Sequence, residues 1–287
     1  MKKWMNFGRK LKKVKLEVLN PHGFCAGVKS ALDKARRLIK SGERVYCLHE
    51  IVHNELVVAE LKSQGFIFVE DINEIPDGSK VLFSAHGVSP DIRATAEAKN
   101  LKIEDATCPF VARVHKAAAD FHKRGLLVIV VGKSSHAEVK GIIGEAPGAQ
   151  VISSIEDIER LKLLFDKGLK VGVVSQTTMN ADDVAEIVSA LSRYFIVESV
   201  AEVCNATKDR QDAVKAFKGD ALLVLGSVTS SNTRRLCEVA SSKTFRAGNI
   251  DEVKAIDFSN INHLGVTSGA STPEEFFEST LELLLKI

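Results

Sequence analysis

Residues 126–138 read Leu-Leu-Val-Ile-Val-Val-Gly-Lys-Ser-Ser-His-Ala-Glu. The first six residues form an unbroken apolar run rich in β-branched side chains, which is typical of a strand buried on both faces. A polar turn follows the run, and a helical pattern begins directly after the turn. Units of this kind recur along the chain, so strands and helices alternate. This alternation predicts an α/β fold in which helices cover parallel sheets.

The apolar runs predict ten strands, and helical patterns lie between them. The predicted strands are 14–19, 45–48, 66–69, 80–84, 101–105, 126–131, 150–153, 170–175, 221–225 and 264–267. The clearest helical patterns are 28–39, 90–99, 111–123, 182–194, 209–218 and 273–286. Ser89-Pro90 and Thr272-Pro273 each place a hydroxyl before a proline, and Glu275 would complete a capping box. We therefore expect Ser89 and Thr272 to cap the helices that follow them.

Composition and charge restrict the class of protein. The chain has 287 residues, of which 45% are hydrophobic and 26% charged, as in ordinary globular proteins. No apolar run approaches the roughly 20 residues of a membrane span, so we predict no membrane segment. Seven lysines and arginines lie within residues 1–15, which leaves 32 basic against 37 acidic residues, or −5, elsewhere. We interpret 1–13 as a solvated basic tail, and the acidic remainder argues against a nucleic-acid-binding protein.

Three cysteines lie in turns that open predicted helices. Cys25, Cys108 and Cys204 are separated by 83 and 96 residues, so they divide the chain into thirds. The corresponding lobes are 14–107, 108–203 and 204–287, with the alternative that the first strand joins the third lobe. One thiol per third indicates a single site where three lobes meet. Three soft ligands would leave one position of a bound metal or cluster open for chemistry.

The five cysteines fall into two groups. Cys47 lies in a strand-like run and Cys237 in a helical one, so both are predicted to be small core residues. The three turn cysteines lie where helix N-termini lower thiol pKa values. Zinc sites usually use closely spaced ligand pairs, which are missing here, so we favour an iron–sulfur cluster over zinc; three unrelated cysteines are the remaining alternative. Without an export signal or a paired Cys-x-x-Cys motif, we expect a reducing, cytoplasmic location and no disulfides.

Small polar residues and histidines are concentrated in the turns that follow strands. Ligands of parallel sheets bind at the carboxyl ends of strands, and helix starts there suit phosphate. Three of these turns contain His53, His86 or His136, which favours an anion site over mere helix capping. Glu138, beside His136, is a natural proton donor, and the alternative is a solvated acid of the first helical turn. The polar turns are 49–54, 84–87, 132–138, 175–178, 226–232 and 267–272.

Nine stretches spread over about residues 21–275 resemble the 4-hydroxy-3-methylbut-2-enyl diphosphate reductase family. The resemblance rests on the combination of motifs rather than on any one of them. The stretches are GFCAGVKSA (23–31), HEIVHN (49–54), FSAHGV (83–88), DATCPFV (105–111) with VH (114–115), SHAEVKG (135–141), VSQTT (174–178), CNAT (204–207) with RQ (210–211), SSNTRRL (230–236) and VTSGASTP (266–273).

This resemblance implies three α/β lobes around a pseudo-threefold axis and one 4Fe-4S cluster held by Cys25, Cys108 and Cys204. It implies reductive dehydroxylation of an allylic diphosphate to isopentenyl and dimethylallyl diphosphate, the last step of the methylerythritol phosphate route, with electrons from a ferredoxin or flavodoxin-type protein. Glu138 would supply protons, and Thr177, with Gln176 beside it, would hold the substrate hydroxyl. The implied contacts of the diphosphate are His53, His86, His136, Ser230, Ser231, Asn232 and Ser271.

The chain departs from the family pattern at a few positions, and two other readings remain open. Val228-Thr229 replaces a common lysine–asparagine pair, which removes a positive charge near the diphosphate, and Ala137 replaces a common proline. A quinolinate synthase-like enzyme would use the same three-cysteine cluster but bind carboxylates. An iron–sulfur sensor or RNA-binding module would use the basic tail and bind nucleic acid in a salt-sensitive way.

Overall fold

The structure, a computed structural model, describes residues 14–40, 42, 44–201 and 203–286. The predicted basic tail at 1–13 lies outside these residues. Within them the chain forms twelve β-strands: β1 (Lys15–Val18), β2 (Val45–Leu48), β3 (Phe66–Val69), β4 (Lys80–Phe83), β5 (Lys102–Asp105), β6 (Leu127–Val131), β7 (Gln150–Ile152), β8 (Lys170–Ser175), β9 (Ile196–Val200), β10 (Ala221–Leu225), β11 (Lys243–Ala247) and β12 (His263–Ser268).

Helices follow almost every strand, as the alternation predicts. A short 3-10 turn covers Ile72–Glu74. The α-helices of the described residues are α1 (Ala26–Lys40), α2 (Glu55–Ser63), α3 (Pro90–Ala98), α4 (Pro109–Lys123), α5 (Ala137–Glu145), α6 (Asp157–Leu164), α7 (Ala181–Leu191), α8 (Asn205–Ala216), α9 (Ser231–Val239), α10 (Ile250–Lys254) and α11 (Glu274–Leu284). None of these helices combines the length and the apolar character that crossing a membrane requires.

The strands form three parallel four-stranded sheets with the same internal order. The first sheet is β3-β2-β4-β5, the second is β7-β6-β8-β9 and the third is β11-β10-β12-β1. In the third sheet β1 pairs with β12, Leu16 opposite Leu264, so it takes the edge position that β5 and β9 hold in the other two. The predicted α/β fold with three parallel sheets is confirmed, and the N-terminal strand completes the third sheet rather than the first. The predicted lobe boundaries remain predictions.

Close packing between helices and sheets gives each lobe its core. All five residues of β10 are buried, as are four of the five in β6, because helices cover both faces of these central strands. In the second lobe Phe121 of α4 packs against Gly172 of β8. A Cβ atom at Gly172 would lie only 2.3 Å from Cγ of that ring, so the contact requires glycine. Cys47 is fully buried in the first core, and Cys237 packs against the third, as predicted.

Two strands and one helix cap differ from the expectation. The strands β9 and β11 are sheet edges whose residues are mostly half-exposed or exposed, with Ile196 56% accessible, so they lack the apolar run that marks a buried strand. Ser89 caps α3 as predicted, accepting a hydrogen bond from the Ile92 N–H. The prediction that Thr272 caps the last helix is wrong. The Thr272 hydroxyl is buried and donates instead to the carbonyl of Leu225 at 3.0 Å, and α11 starts without a side-chain cap.

Candidate active site

The three turn cysteines hold matching positions in the three lobes. Cys25 directly precedes α1, and Cys108 and Cys204 are the N-cap residues of α4 and α8. The backbone N–H of each cysteine donates to a carbonyl located two residues beyond the end of β12, β4 or β8. These bonds join Cys25 to Ala270, Cys108 to Ala85 and Cys204 to Thr177, at 3.0, 3.0 and 3.1 Å. The same hydrogen bond, used three times, holds each cysteine at the carboxyl edge of a sheet.

All three thiols line one central cavity of about 100 Å³. The cavity also receives nearly all the other side chains predicted for the site, so residues far apart in the chain converge on one space. Those that line it are Cys25, Cys108, Cys204, His53, His86, His136, Glu138, Thr177, Ser230, Ser231, Asn232 and Ser271.

Gln176 is the predicted site residue that lies behind the cavity wall. Its side chain is fully buried, and its Oε1 accepts a hydrogen bond from the Lys133 N–H at 3.1 Å. Its Nε2 donates to the hydroxyls of Thr178 and Ser231, at 2.9 and 3.2 Å. Gln176 therefore links a turn of the second lobe to the first turn of α9 in the third.

A glycine beside the thiols leaves open space in this part of the cavity. A Cβ atom at Gly27 would lie 2.6 Å from Cys108 Sγ and 3.9 Å from Cys25 Sγ, so a glycine keeps the gap between these thiols open. Within the described residues, no three histidine, cysteine or acidic side chains converge closely enough to hold one metal ion. A single zinc needs its sulfurs about 2.3 Å from one point. In a cluster each thiolate would bind a different iron, so the three sulfurs would not have to meet at one point.

Burial is the largest influence on the pKa values of Cys108 and Cys204. It raises the pKa of both Cys108 and Cys204, and the charges of neighbouring cysteines raise it further. Hydrogen bonds from the Phe110 and Val111 N–H groups at the start of α4 lower the pKa of Cys108, but less than burial raises it. The predicted net lowering of the thiol pKa is therefore wrong for Cys108 and Cys204. All five cysteines are free.

The three predicted histidines form a compact group. The rings of His53 and His86 stack with centroids 4.4 Å apart, and His136 meets them edge-on at 5.1 and 5.5 Å. His53 and His136 follow the equivalent strands β2 and β6, whereas His86 follows β4. Burial, reinforced by the neighbouring imidazoles, lowers the pKa of His86 well below its usual value and that of His136 to about 3.

One hydrogen bond fixes the orientation of the His136 ring. Its Nδ1 accepts a hydrogen bond from the Glu138 N–H at 3.2 Å, because His136 is the N-cap of α5. A neutral imidazole that accepts at Nδ1 carries its proton on Nε2. His136 is therefore available as a neutral donor through Nε2.

Glu138 is buried, which excludes the alternative of a solvated helix acid. Its side chain lies in the second lobe at 2% exposure. Glu138 Oε1 accepts a hydrogen bond from the Thr177 N–H at 2.7 Å, and Oε2 accepts one from the Thr177 hydroxyl at 3.1 Å. Burial raises the pKa of Glu138 to about 7, although these two bonds oppose the rise. A carboxyl group with this pKa exchanges a proton readily near neutral pH.

The third lobe contributes hydroxyl and amide groups to the same cavity. Ser230 caps α9 by accepting from the Thr233 N–H at 3.3 Å, so one residue serves both as a cap and as part of the cavity wall. Asn232 accepts from the Ala270 N–H at 3.0 Å, and Ser271 donates to the carbonyl of His53 at 3.1 Å. The Ser271 bond crosses to the first lobe and holds the polar wall against the His53 turn.

A larger cleft of about 610 Å³ adjoins the cavity and shares His53 and His136 with it. Lys133 and Arg234 line this outer cleft next to Thr229, and neither forms an ion pair among the described residues. The positive charges of Lys133 and Arg234 help to lower the pKa of His136. Val228, one of the departures noted in the sequence analysis, is 55% exposed. Positive charge at this end of the site therefore comes from Lys133, Lys140 and Arg234, which the sequence analysis did not single out.

The fold and the cavity define a class of protein: three α/β lobes that each contribute one cysteine to a central cavity containing a buried acid and clustered histidines. The sequence model of the LytB protein family matches residues 16–285, and the chain belongs to this family. The resemblance seen in the motifs is thus confirmed.

Curated relatives and solved structures match this chain over nearly its whole length. A curated 4-hydroxy-3-methylbut-2-enyl diphosphate reductase from Nitrosomonas europaea is 39% identical over 287 aligned residues, covering 96% of this chain and 88% of the relative. The solved structure of E-1-hydroxy-2-methyl-but-2-enyl-4-diphosphate reductase from Plasmodium falciparum has a TM-score of 0.88 and 34% identity, covering 94% of this chain and 88% of its own. A second solved reductase, described as the terminal enzyme of the non-mevalonate pathway, has a TM-score of 0.67 and 32% identity, covering 96% of this chain and 100% of its own.

Proposed function

We propose that this chain reduces 4-hydroxy-3-methylbut-2-enyl diphosphate to isopentenyl and dimethylallyl diphosphate, the last step of the methylerythritol phosphate route. The observation that carries the proposal is the single cavity in which three thiols, a buried carboxyl group and three imidazoles meet. Membership of the LytB family supports it, because curated relatives are named for this reaction. In the reaction a carbon–oxygen bond breaks and a carbon–hydrogen bond forms. Two electrons and two protons enter, and the hydroxyl leaves as water.

The proposed cofactor is one 4Fe-4S cluster bound by Cys25, Cys108 and Cys204. When bound, such a cluster supplies electrons and a Lewis-acidic iron at the position that no cysteine fills. The proposed source of electrons is a ferredoxin or flavodoxin-type protein. Five free thiols suit a reducing compartment, which supports the cytoplasm as the proposed location.

The diphosphate end of the substrate is assigned to the histidine group and the third-lobe wall. His86 and His136 are neutral because burial lowers their pKa values, so they would donate N–H bonds to phosphate oxygens. Ser230, Ser231, Asn232 and Ser271 would add further donors, together with His53. Fixing the diphosphate in this way would hold the allylic alcohol at the thiol end of the cavity, where orientation contributes to the rate.

Glu138 and Thr177 are assigned to the alcohol end. The Thr177 hydroxyl already bonds to Glu138, so the two groups form a short path along which a proton can pass toward the substrate hydroxyl. With a pKa of about 7, Glu138 is protonated in a large fraction of molecules at neutral pH. Gln176 would act indirectly, by holding the loop of Thr177 and the side chain of Ser231 in place.

The test is turnover by protein purified without oxygen. We expect about four irons and four sulfides per chain and reduction of the allylic diphosphate by a low-potential donor. Glu138→Gln should keep the iron but lower kcat by about 10²–10⁴-fold, because it removes a general acid. Glu282→Gln, at an exposed position of α11, is the control and should remain active. Turnover of a dicarboxylate instead of the diphosphate, or an unimpaired Glu138→Gln variant, would contradict the proposal.

A further inference from the structure

A buried arginine, Arg210, lies within α8 without a carboxylate partner. Its side chain is 2% exposed, and it forms no ion pair among the described residues. Its Nη2 donates to the carbonyl of Gly23 at 2.8 Å, its Nη1 donates to the carbonyl of Ala206 at 2.7 Å, and its Nε is buried without a hydrogen-bond partner. Burying a charge is strongly unfavourable unless another charge balances it. The position of Arg210 therefore calls for an anion nearby.

The surroundings of Arg210 identify that anion as the thiol group of the site. Gly23 precedes Cys25 by two residues and Ala206 follows Cys204 by two, so the guanidinium bridges two cysteine turns from different parts of the chain. Burial lowers the pKa of Arg210, and the charges of Cys25, Cys204 and, to the smallest extent, Asp209 oppose that change. Asp209, the neighbouring acid, is exposed and forms no bond with it. Deprotonated cysteines would supply the missing negative charge.

We propose that Arg210 is a positioning residue for the iron–sulfur cluster, which ties the Cys25 turn to the Cys204 turn and raises the reduction potential with its positive charge. The inference rests on the proposed function, since it requires a cluster at the three thiols. Accepting an electron makes the site more negative. A fixed cation in a poorly solvated interior stabilises the more negative state most strongly, so Arg210 makes reduction easier.

Two substitutions separate the charge of Arg210 from its hydrogen bonds. Arg210→Gln removes the charge and keeps a donor, whereas Arg210→Lys keeps the charge. The loaded, oxygen-free enzyme is titrated with reductant and followed by electron paramagnetic resonance. We expect a more negative midpoint potential for Arg210→Gln and a value near that of the wild type for Arg210→Lys. Arg160→Gln is the control, since Arg160 bonds to the Val151 carbonyl at 2.8 Å from an exposed position in the second lobe.

Release of iron to a chelator gives a second readout. Arg210→Gln should lose iron several-fold faster than the wild type, and Arg210→Lys should be slower than Arg210→Gln. If Arg210→Gln does not retain a cluster through purification, Arg210→Lys still tests the role of the charge. Arg210→Lys protein that keeps its cluster and has the wild-type potential supports the proposal. Arg210→Lys protein that loses its iron as rapidly as Arg210→Gln overturns it. An unchanged potential in loaded Arg210→Gln, with an active wild type, overturns this inference alone. A wild type that binds no cluster overturns the proposed cofactor as well.

Discussion

Raising the pH should cost this protein stability through one carboxyl group, that of Glu138. Burial raises its pKa in the folded chain to about 7, from an ordinary value of 4.5. Below pH 4.5 both the folded and the unfolded chain carry the proton, so the group does not favour either. Between pH 4.5 and pH 7 the unfolded chain ionises while the folded chain keeps its proton. The unfolded chain then binds fewer protons, so the free energy of unfolding falls as the pH rises.

The size of this effect follows from the two pKa values. At 1.36 kcal/mol per pKa unit, the full loss is about 3 kcal/mol, of which about 2.5 kcal/mol falls between pH 5 and pH 8. Replacing Glu138 with glutamine removes the titration but retains an oxygen that can accept from the Thr177 N–H. His86, His136 and Cys108 are present in both proteins, so their titration largely cancels in the comparison.

Urea unfolding of the wild type and of Glu138→Gln at about pH 5 and pH 8 measures the difference directly. We expect the stability of the variant relative to the wild type to increase by about 2.5 kcal/mol across this range. Glu282→Gln controls for the general loss of one carboxylate, and equal m-values are needed for the comparison to be valid. A difference that stays constant to within about 0.5 kcal/mol would refute a Glu138 pKa near 7.

Three further predictions concern the thiols, the outer cleft and the core of the second lobe. Gly27→Ala should stop cluster binding while the chain still folds, because the new Cβ would lie 2.6 Å from Cys108 Sγ. Iron analysis measures cluster binding and circular dichroism measures folding. Full iron content in the variant would contradict this prediction. Arg234→Gln should raise KM severalfold with little change in kcat, because it removes an unpaired cation from the outer cleft. The rise in KM should be largest at low salt, where the charge is least screened. A KM that is unchanged at every ionic strength would contradict this prediction. Gly172→Ala should destabilise the chain by about 1–3 kcal/mol in urea unfolding, and Phe121→Leu should restore part of that loss because the clash is with the Phe121 ring.

Much of the secondary structure was predictable because its signals are local. The apolar run at β6 and the Ser89-Pro90 helix start depend on neighbouring residues, and both predictions are confirmed. The strands β9 and β11 were missed because edge strands expose one side and carry mixed side chains. Thr272 was wrongly predicted to be a cap because its hydroxyl bonds to Leu225, which lies 47 residues away in the chain.

The candidate site was likewise predictable only where its signals are local in the sequence. Its residues were found from turns and motifs, and the structure brings all of them except Gln176 to the cavity wall. Arg210 lies within a quoted motif, but the sequence did not indicate that it is buried. The outer cleft of Lys133 and Arg234 likewise required the structure, since the two residues lie in different lobes.

The sequence by itself determined most of the strands and helices and which residue types the site can use, because these depend on side chains close together in the chain. The tertiary structure decided that β1 closes the third sheet, that the Glu138 carboxyl is shielded from water, and that Arg210 spans two cysteine turns. Strand partners, desolvation and charge balance arise from residues far apart in sequence, and only the folded chain places those residues together.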